Sequence, residues 1–330
     1  MAAATPNQTV FGEYFHEISN FQIRLAETLR KHGDNVLIFC DPSVAGFFMQ
    51  HLHHGMLIKQ GMVDVNIGQY GPNICDKQIW FQYKADDGKR DGKLMQDRMN
   101  IILRKFCGSE GSIMPSRSQI VLNGCDIIDN DVDKVVVSER IFTDNPTLTR
   151  IRGQAEKRLS KIFGGPAVAI VPASNIPGDC LANQVSFLDH DVIAISNHVP
   201  SQLYQRSEQV LMDTFADGKE EIEIVPLYSR YEATRWKGGL LSTCGLHVTT
   251  LMTDRNLYVP MFAGDPRNRG QTAHGDDEIF DVVDANTGYN VVRVEMESLI
   301  CRLGLSLRSL TWPLFGPLAD RLLDAAKAQY

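Results

Sequence analysis

The chain reads as an α/β fold, and three features of the sequence say so. Amphipathic helical stretches alternate with short apolar strands along its length. A strand–strand–helix–strand unit recurs several times without an exact sequence repeat, as expected when apolar strands lie inside and helices outside. Neither a Gly-x-Gly-x-x-Gly turn nor a Gly-x-x-x-x-Gly-Lys loop occurs, which disfavours a nucleotide cofactor.

Taken in order, residues 14–32 place Phe15, Ile18, Phe21, Leu25 and Leu29 at helical spacing. The apolar run 35–40 is a buried strand stopped by Asp41-Pro42. Residues 43–54 predict a short helix, 62–67 and 78–83 strands, and 91–107 a long helix. Strands follow at 119–128 and 134–138, a helix at 147–163, and strands at 166–171 and 192–195. The pattern continues with a helix at 202–215, strands at 221–226, 257–262 and 291–294, a helix from 296, and a tail helix at 317–329. The stretches 84–93 and 264–277 are polar, Gly- and Asp-rich, and are read as loops.

The 330 residues (36.9 kDa) suffice for a sizeable core and are read as a single domain, 1–330. A net charge of −7 argues against wholesale affinity for nucleic acid or membranes, while leaving room for a local basic patch. The seven cysteines are odd in number and scattered, without a Cys-x-x-Cys pair. Reduced thiols in the cytoplasm are therefore expected, rather than a disulfide framework or a zinc ribbon. The first residues lack a basic stretch followed by an apolar one, and no run approaches the ~20 apolar residues of a membrane span. No cofactor or metal is called for.

Four windows carry polar residues of potential chemistry. They are Asn66-Ile67-Gly68-Gln69-Tyr70-Gly71-Pro72, Leu122-Asn123-Gly124-Cys125-Asp126, Gly178-Asp179-Cys180-Leu181-Ala182-Asn183 and Leu307-Arg308-Ser309-Leu310. In order and spacing they resemble the agmatine and peptidylarginine deiminases of the pentein superfamily, best over residues 60–312. That resemblance implies a pseudo-symmetric ring of strand-rich α/β units around a central pocket, where Gln69, Asn123, Cys180 and Ser309 would converge.

The resemblance stops at the chemistry. Gln69 stands where the family has a guanidinium-binding aspartate, and Asn123 stands at a glutamate. Cys180 stands at the proton-shuttling histidine and Ala182 at a second aspartate. Arg308-Ser309 replaces the terminal His-Cys that carries the nucleophile. Thiol deimination needs a thiolate, a base and carboxylates for the guanidinium, so ordinary deimination is disfavoured.

Asp179, Cys180 and Ser309 remain the catalytic candidates, with Gln69, Asn123, Asn183 and Arg308 as substrate-binding candidates. Each has a plainer reading beside it. Ser309 can be a small polar residue and Cys180 an inert buried thiol. Asp179 can be a cap, and Gln69 and Asn123 can satisfy backbone groups. His247 after Cys244 suggests a nucleophile–base pair, but three-residue spacing on a strand would put the two on opposite faces. His51, His53 and His54 read as a solvated helix end rather than a metal cluster.

Residues 149–161 are strongly basic. Arg150, Arg152, Lys157, Arg158 and Lys161 would form a solvent-facing strip, either simply solvated or docking phosphates such as those of RNA. Three functions stay open. One is a repurposed enzyme accommodating an arginine-like group from a small molecule or an aminoacyl-tRNA, as in the arginine-containing cyclodipeptide synthases. The second is a non-catalytic binding or scaffold protein. The third is a hydrolase whose nucleophile has moved to Cys180.

Overall fold

The computed structural model describes residues 1–329 apart from 75–77, 86–90, 108–113, 149, 175, 177–178, 217–220, 229–230, 232–233, 237–240 and 263–271. Its first sheet is built from β1 (Ile38–Phe39) and the parallel β2 (Leu57–Ile58), joined by α2 (Pro42–Met49). Residues 1–4 lie beside β1 through a parallel bridge from Ala2 to Phe39, after which the chain passes through α1 (Phe15–Lys31). The fully buried Gln22 of α1 holds that segment, donating to the Ala2 carbonyl at 2.6 Å and accepting from the Ala4 amide at 3.3 Å.

The next four sheets share one plan. After α3 (Ile67–Tyr70) come β3 (Asn73–Ile74), β4 (Gln78–Gln82), α4 (Gly92–Cys107) and β5 (Ser116–Val121). Then follow β6 (Ile127–Asp129), β7 (Lys134–Ser138), α5 (Ile141–Asp144), α6 (Arg152–Phe163) and β8 (Ala167–Val171). The fourth sheet has β9 (Val185–Phe187), β10 (Val192–Ser196) and β11 (Glu223–Leu227), with α7 (Ser201–Phe215) before its last strand. The fifth has β12 (Leu251–Met252), β13 (Asn256–Met261) and β14 (Asn290–Glu295), with α8 (Thr272–Ala285) likewise placed. In each, the first strand is antiparallel to the second, and the second is parallel to the third. The chain ends in α9 (Ser298–Arg302), α10 (Leu307–Leu310) and α11 (Gly316–Lys327).

Helices stitch neighbouring sheets together. Ala155, Leu159 and Phe163 of α6 share a core with Ile79 and Phe81 of β4 and with Val135 and Val168 of the third sheet. Leu211 and Phe215 of α7 do the same between β8 and β10, and Ile279 and Val283 of α8 between β10 and β13. The largest core joins α1 to Tyr258, Val292, Ile300 and Leu307, so the first sheet packs against the last. Burying each such side chain contributes about 1.5–3 kcal/mol, which explains why strands as short as two residues persist. β7 and β13 are buried at every position, as expected of central strands covered on both faces.

Three sequence expectations need correction. Residues 62–66 form no strand. The Asp64 carboxylate accepts from the Asn66 amide at 2.7 Å and its carbonyl accepts from the Tyr70 hydroxyl at 2.7 Å, so local bonds replace a ladder. The helix expected from residue 147 starts at Arg152, because Asn145 spends its amide on the carbonyls of Val121 and Ile141 and closes α5 first. Residues 272–277, read as loop, are the first turns of α8, whose apolar stripe begins only at Ile279. The rest of that expected loop, and residues 86–90 of the other, lie outside the described residues.

Candidate functional site

The four windows come together at close backbone approach. Helix α3 lies on α10 and against a 3₁₀ turn at Gly124–Asp126, which abuts a second 3₁₀ turn at Leu181–Asn183. Glycine makes this possible. A Cβ on Gly68 would sit 2.2 Å from the Arg308 carbonyl oxygen and 2.6 Å from that of Thr311. One on Gly124 would sit 2.0 Å from the Gly68 carbonyl oxygen. The two 3₁₀ turns are tied by the Leu181 amide donating to Asp126 at 3.3 Å. Arg140 adds to this by donating to the Asp179 carbonyl at 3.0 Å and lying 3.7 Å from Asp126.

Convergence does not make every candidate available. Ser309 is buried, and its side chain is half of a capping box. Its Oγ accepts from the Ser306 amide at 2.9 Å, and its amide donates to Ser306 Oγ at 3.2 Å. The hydroxyl also donates to the Ser306 carbonyl at 3.2 Å, so no base takes its proton. Asn123 is clamped to the backbone of Lys84, accepting from its amide at 3.0 Å and donating to its carbonyl at 2.9 Å. Gln69 accepts from the Tyr83 hydroxyl at 3.0 Å. Arg308 donates to the Ile127 carbonyl at 3.2 Å. It also lies near the exposed carboxyl of Asp131.

The Asp179 window differs. Asp179 is 2% exposed, and its Oδ1 accepts from the Cys180 amide at 3.0 Å and from Asn183 Nδ2 at 2.8 Å. Its Oδ2 is buried with no hydrogen-bond partner among the described residues. Two further side chains gather there, and both carry a buried orphan atom: His198 at Nε2 and Tyr231 at its hydroxyl. Their rings meet edge-on, with centroids 4.7 Å apart. The other His198 nitrogen, Nδ1, is bonded to Ser196 Oγ at 2.7 Å.

Electrostatics ties the group together. Burial lowers the His198 pKa and keeps the ring neutral, against the opposing pull of Asp179. Burial raises the Tyr231 hydroxyl, helped by Asp179 and Cys180 and opposed by Arg235. Cys180 is a buried free thiol beside them. Each unsatisfied buried polar atom costs about 1–3 kcal/mol, so three in one place are a substantial local debt. Such a cluster of unsatisfied groups calls for a physical explanation, which makes this window the strongest candidate site among the described residues.

Sequence reasoning missed His198 and Tyr231. For His198 a signal existed: pairing of Val185 with Ile195 in the β9–β10 hairpin returns the chain to residues 182–184. The Ser196 amide donates to the Gln184 carbonyl at 2.8 Å, which delivers His198 to the Asp179 window. Tyr231 lies outside any regular element, and its spacing carries no signal.

Other expectations resolve as follows. Cys244 and His247 lie in a turn rather than on a strand. Cys244 forms a disulfide with Cys301, which corrects the expectation that all thiols are reduced. His247 is bonded instead to the buried Asp276 at 2.7 Å, whose other oxygen accepts from the Phe262 amide at 2.7 Å. His53 caps a 3₁₀ turn by accepting from the Gly55 amide at 3.1 Å, and no metal-holding group occurs among the described residues.

In the basic strip Arg150, Lys157, Arg158 and Lys161 are exposed. Arg152 is not part of a free face. It donates to the Ile170 carbonyl at 2.7 Å and pairs with Glu139 at 3.1 Å, anchoring α6 to β8. Gly178 of the third window and Thr149 lie outside the described residues. No helix is long and apolar enough to cross a membrane among the described residues.

No family model matches the chain, and no curated protein sequence does either. Solved structures do. The agmatine deiminase of C. jejuni is similar at TM-score 0.72 and 15% identity, over 94% of this chain and 90% of that one. A protein assigned only provisionally as a peptidyl-arginine deiminase is similar at TM-score 0.73 and 17% identity, over 96% and 95%. The agmatine deiminase of Enterococcus faecalis is similar at TM-score 0.66 and 12% identity, over 89% and 86%. At these identities the likeness establishes a pentein-like α/β fold and leaves the chemistry to the residues.

Proposed function

We propose that this chain is an enzyme on the deiminase fold that holds an arginine-like, N–H-rich cationic group at Asp179 and does not deiminate it from the Ser309 position. The observation carrying this reading is the set of three buried polar atoms without a partner among the described residues: Asp179 Oδ2, His198 Nε2 and the Tyr231 hydroxyl. A guanidinium presents five N–H donors in a rigid plane, which suits a fixed carboxylate oxygen beside two further polar atoms. The neutral His198 supplies a group that can accept or return a proton, and the protonated Tyr231 supplies a donor. The fold's neighbours, named as agmatine deiminases, support the substrate class. The five sheets would stand around a common axis with this cluster on its inner side.

A finer version has the group delivered as an arginyl residue on tRNA and joined to a second aminoacyl group, as in cyclodipeptide synthesis. Exposed Arg150, Lys157, Arg158 and Lys161 support it, while Arg152 belongs to the fold. A second reading rests on Cys180, whose thiol shares its surroundings with His198 and could act as a relocated nucleophile with that base. A non-catalytic scaffold is the remaining alternative.

The test combines turnover with binding. Incubation with agmatine, arginine and arginyl peptides is expected to release no ammonia above a heat-killed control, while a guanidine ligand raises the melting temperature. Saturating a site at 100 times its Kd stabilises by about 2.7 kcal/mol, readily seen as a thermal shift. Ammonia release abolished by Cys180→Ala would move the assignment to the thiol hydrolase. No shift with any guanidine or aminoacyl ligand would leave the scaffold.

A further inference from the structure

A second place in the molecule has the makings of a ligand site. A cavity of about 540 Å³ opens between the C-terminal end of α1, the β12–β13 hairpin and the start of α11, and no member of the Asp179 cluster lines it. Its volume falls in the range that holds small molecules. Leu29, Val36, Leu251 and Leu323 give it apolar walls.

Its charge is one-sided. Asp34 lines it, and three donors converge on one carboxylate oxygen: the Tyr258 hydroxyl at 2.5 Å, Asn256 Nδ2 at 3.0 Å and Thr253 Oγ1 at 3.2 Å. Burial and the bond to Asp34 raise the Tyr258 hydroxyl far above its ordinary value, so it remains a donor and the carboxylate is held in place. Asp254 and Asp320 add two more carboxylates at the rim, Asp254 lying 3.7 Å from the exposed Arg255, while Met1 also lines the cavity and burial lowers its terminal amine to about 5. The last turn of α1 brings the negative end of a 17-residue helix to the same wall.

Two aromatic side chains complete it. Trp312 is fixed by its indole N–H donating to the Pro72 carbonyl at 2.8 Å, and Phe315 follows on the same segment. A carboxylate held by three donors, with aromatic faces and apolar walls around it, is complementary to a cation carrying an apolar body. We infer that this cavity binds a small protonated amine with an aromatic or alkyl body, its ammonium toward Asp34 and its body against Trp312 and Phe315.

The full chain can be titrated with 2-phenylethylamine at neutral pH, following backbone amide NMR shifts and tryptophan fluorescence, with the neutral isostere 2-phenylethanol as control. Saturable binding is expected, with shifts at residues 253–256 and 312–316. The alcohol should bind at least about 10-fold more weakly, the discrimination expected of a charge-assisted contact. Asp34→Asn should weaken amine binding without affecting the alcohol. Because Asp34 also supports β13, the double variant Asp254→Asn/Asp320→Asn is the second probe, since its exposed rim positions spare the fold; it should lower amine affinity several-fold. Leu323→Trp should block both ligands. Equal affinity for amine and alcohol, shifts mapping elsewhere, or no saturable binding of the amine would each overturn the inference.

Discussion

Asn183 donates through Nδ2 to Oδ1 of Asp179 at 2.8 Å and leaves the second oxygen of that carboxylate buried without a partner among the described residues. Asn183 ends the 3₁₀ turn Leu181–Asn183 and Asp179 immediately precedes its cap, so the carboxylate is fixed on one side and unfulfilled on the other. His198 and Tyr231 bring the same condition to the same place.

Acid should act on this cluster through His198. Its folded pKa is depressed below 6.5 by burial, so on acidification the unfolded chain takes up the proton first. Stability carried by neutral His198 is present above pH 6.5 and lost as pH falls below it. Urea unfolding at pH 7.5 and 5.5 should show this loss, and His198→Asn should flatten it. An unchanged profile in the variant would remove His198 from the account.

Ser309→Ala should behave as the loss of a cap. It should cost about 0.5–2 kcal/mol in urea unfolding while leaving guanidine binding within about 2-fold, because the hydroxyl serves α10. Loss of ligand binding with unchanged stability would return Ser309 to the site.

Gly68→Ala should be far more damaging than its size suggests. Its Cβ would fall 2.2 Å from a backbone oxygen of Arg308, where no side chain can yield. We expect destabilisation of about 1–3 kcal/mol, with NMR shift changes concentrated at residues 307–311. A variant of native stability would contradict the close packing of α3 on α10.

Reduction of the Cys244–Cys301 bridge, which closes 57 residues, should lower stability by about 2–4 kcal/mol. Mass spectrometry of trypsin fragments without reductant should recover the two cysteines as one linked pair. Recovery of both as free thiols from freshly isolated protein would reinstate the reduced state that the cysteine count suggested. Cys40, pushed up to about 12 by burial and then by Asp41, should resist alkylation in either case.

Much of the fold was legible because its strands are apolar and its helices periodic. The valines of β7 and the leucine spacing of α1 left little room for other readings. What escaped were elements set by single side chains. Asp64 folds residues 62–66 onto themselves, and Asn145 ends one helix before α6 begins. At the site, order and spacing pointed to the four windows, but spacing could not reveal that Ser309 is committed to a cap or Asn123 to Lys84. Nor could it reveal Tyr231, which reaches the cluster from an irregular segment. Polar residue type announced possible chemistry; only the hydrogen-bond partners showed which groups were already spent.

The central claim is that Asp179 receives a guanidinium-like group, and isothermal titration of agmatine into the wild-type chain, Asp179→Asn and Ser309→Ala tests it most directly. The account predicts saturable binding to the wild type, retained in Ser309→Ala and weakened at least about 10-fold in Asp179→Asn, since a neutral amide forfeits the charge-assisted pair. Circular dichroism should show both variants folded. Equal affinity in Asp179→Asn, or no measurable heat with the folded wild type, would contradict it.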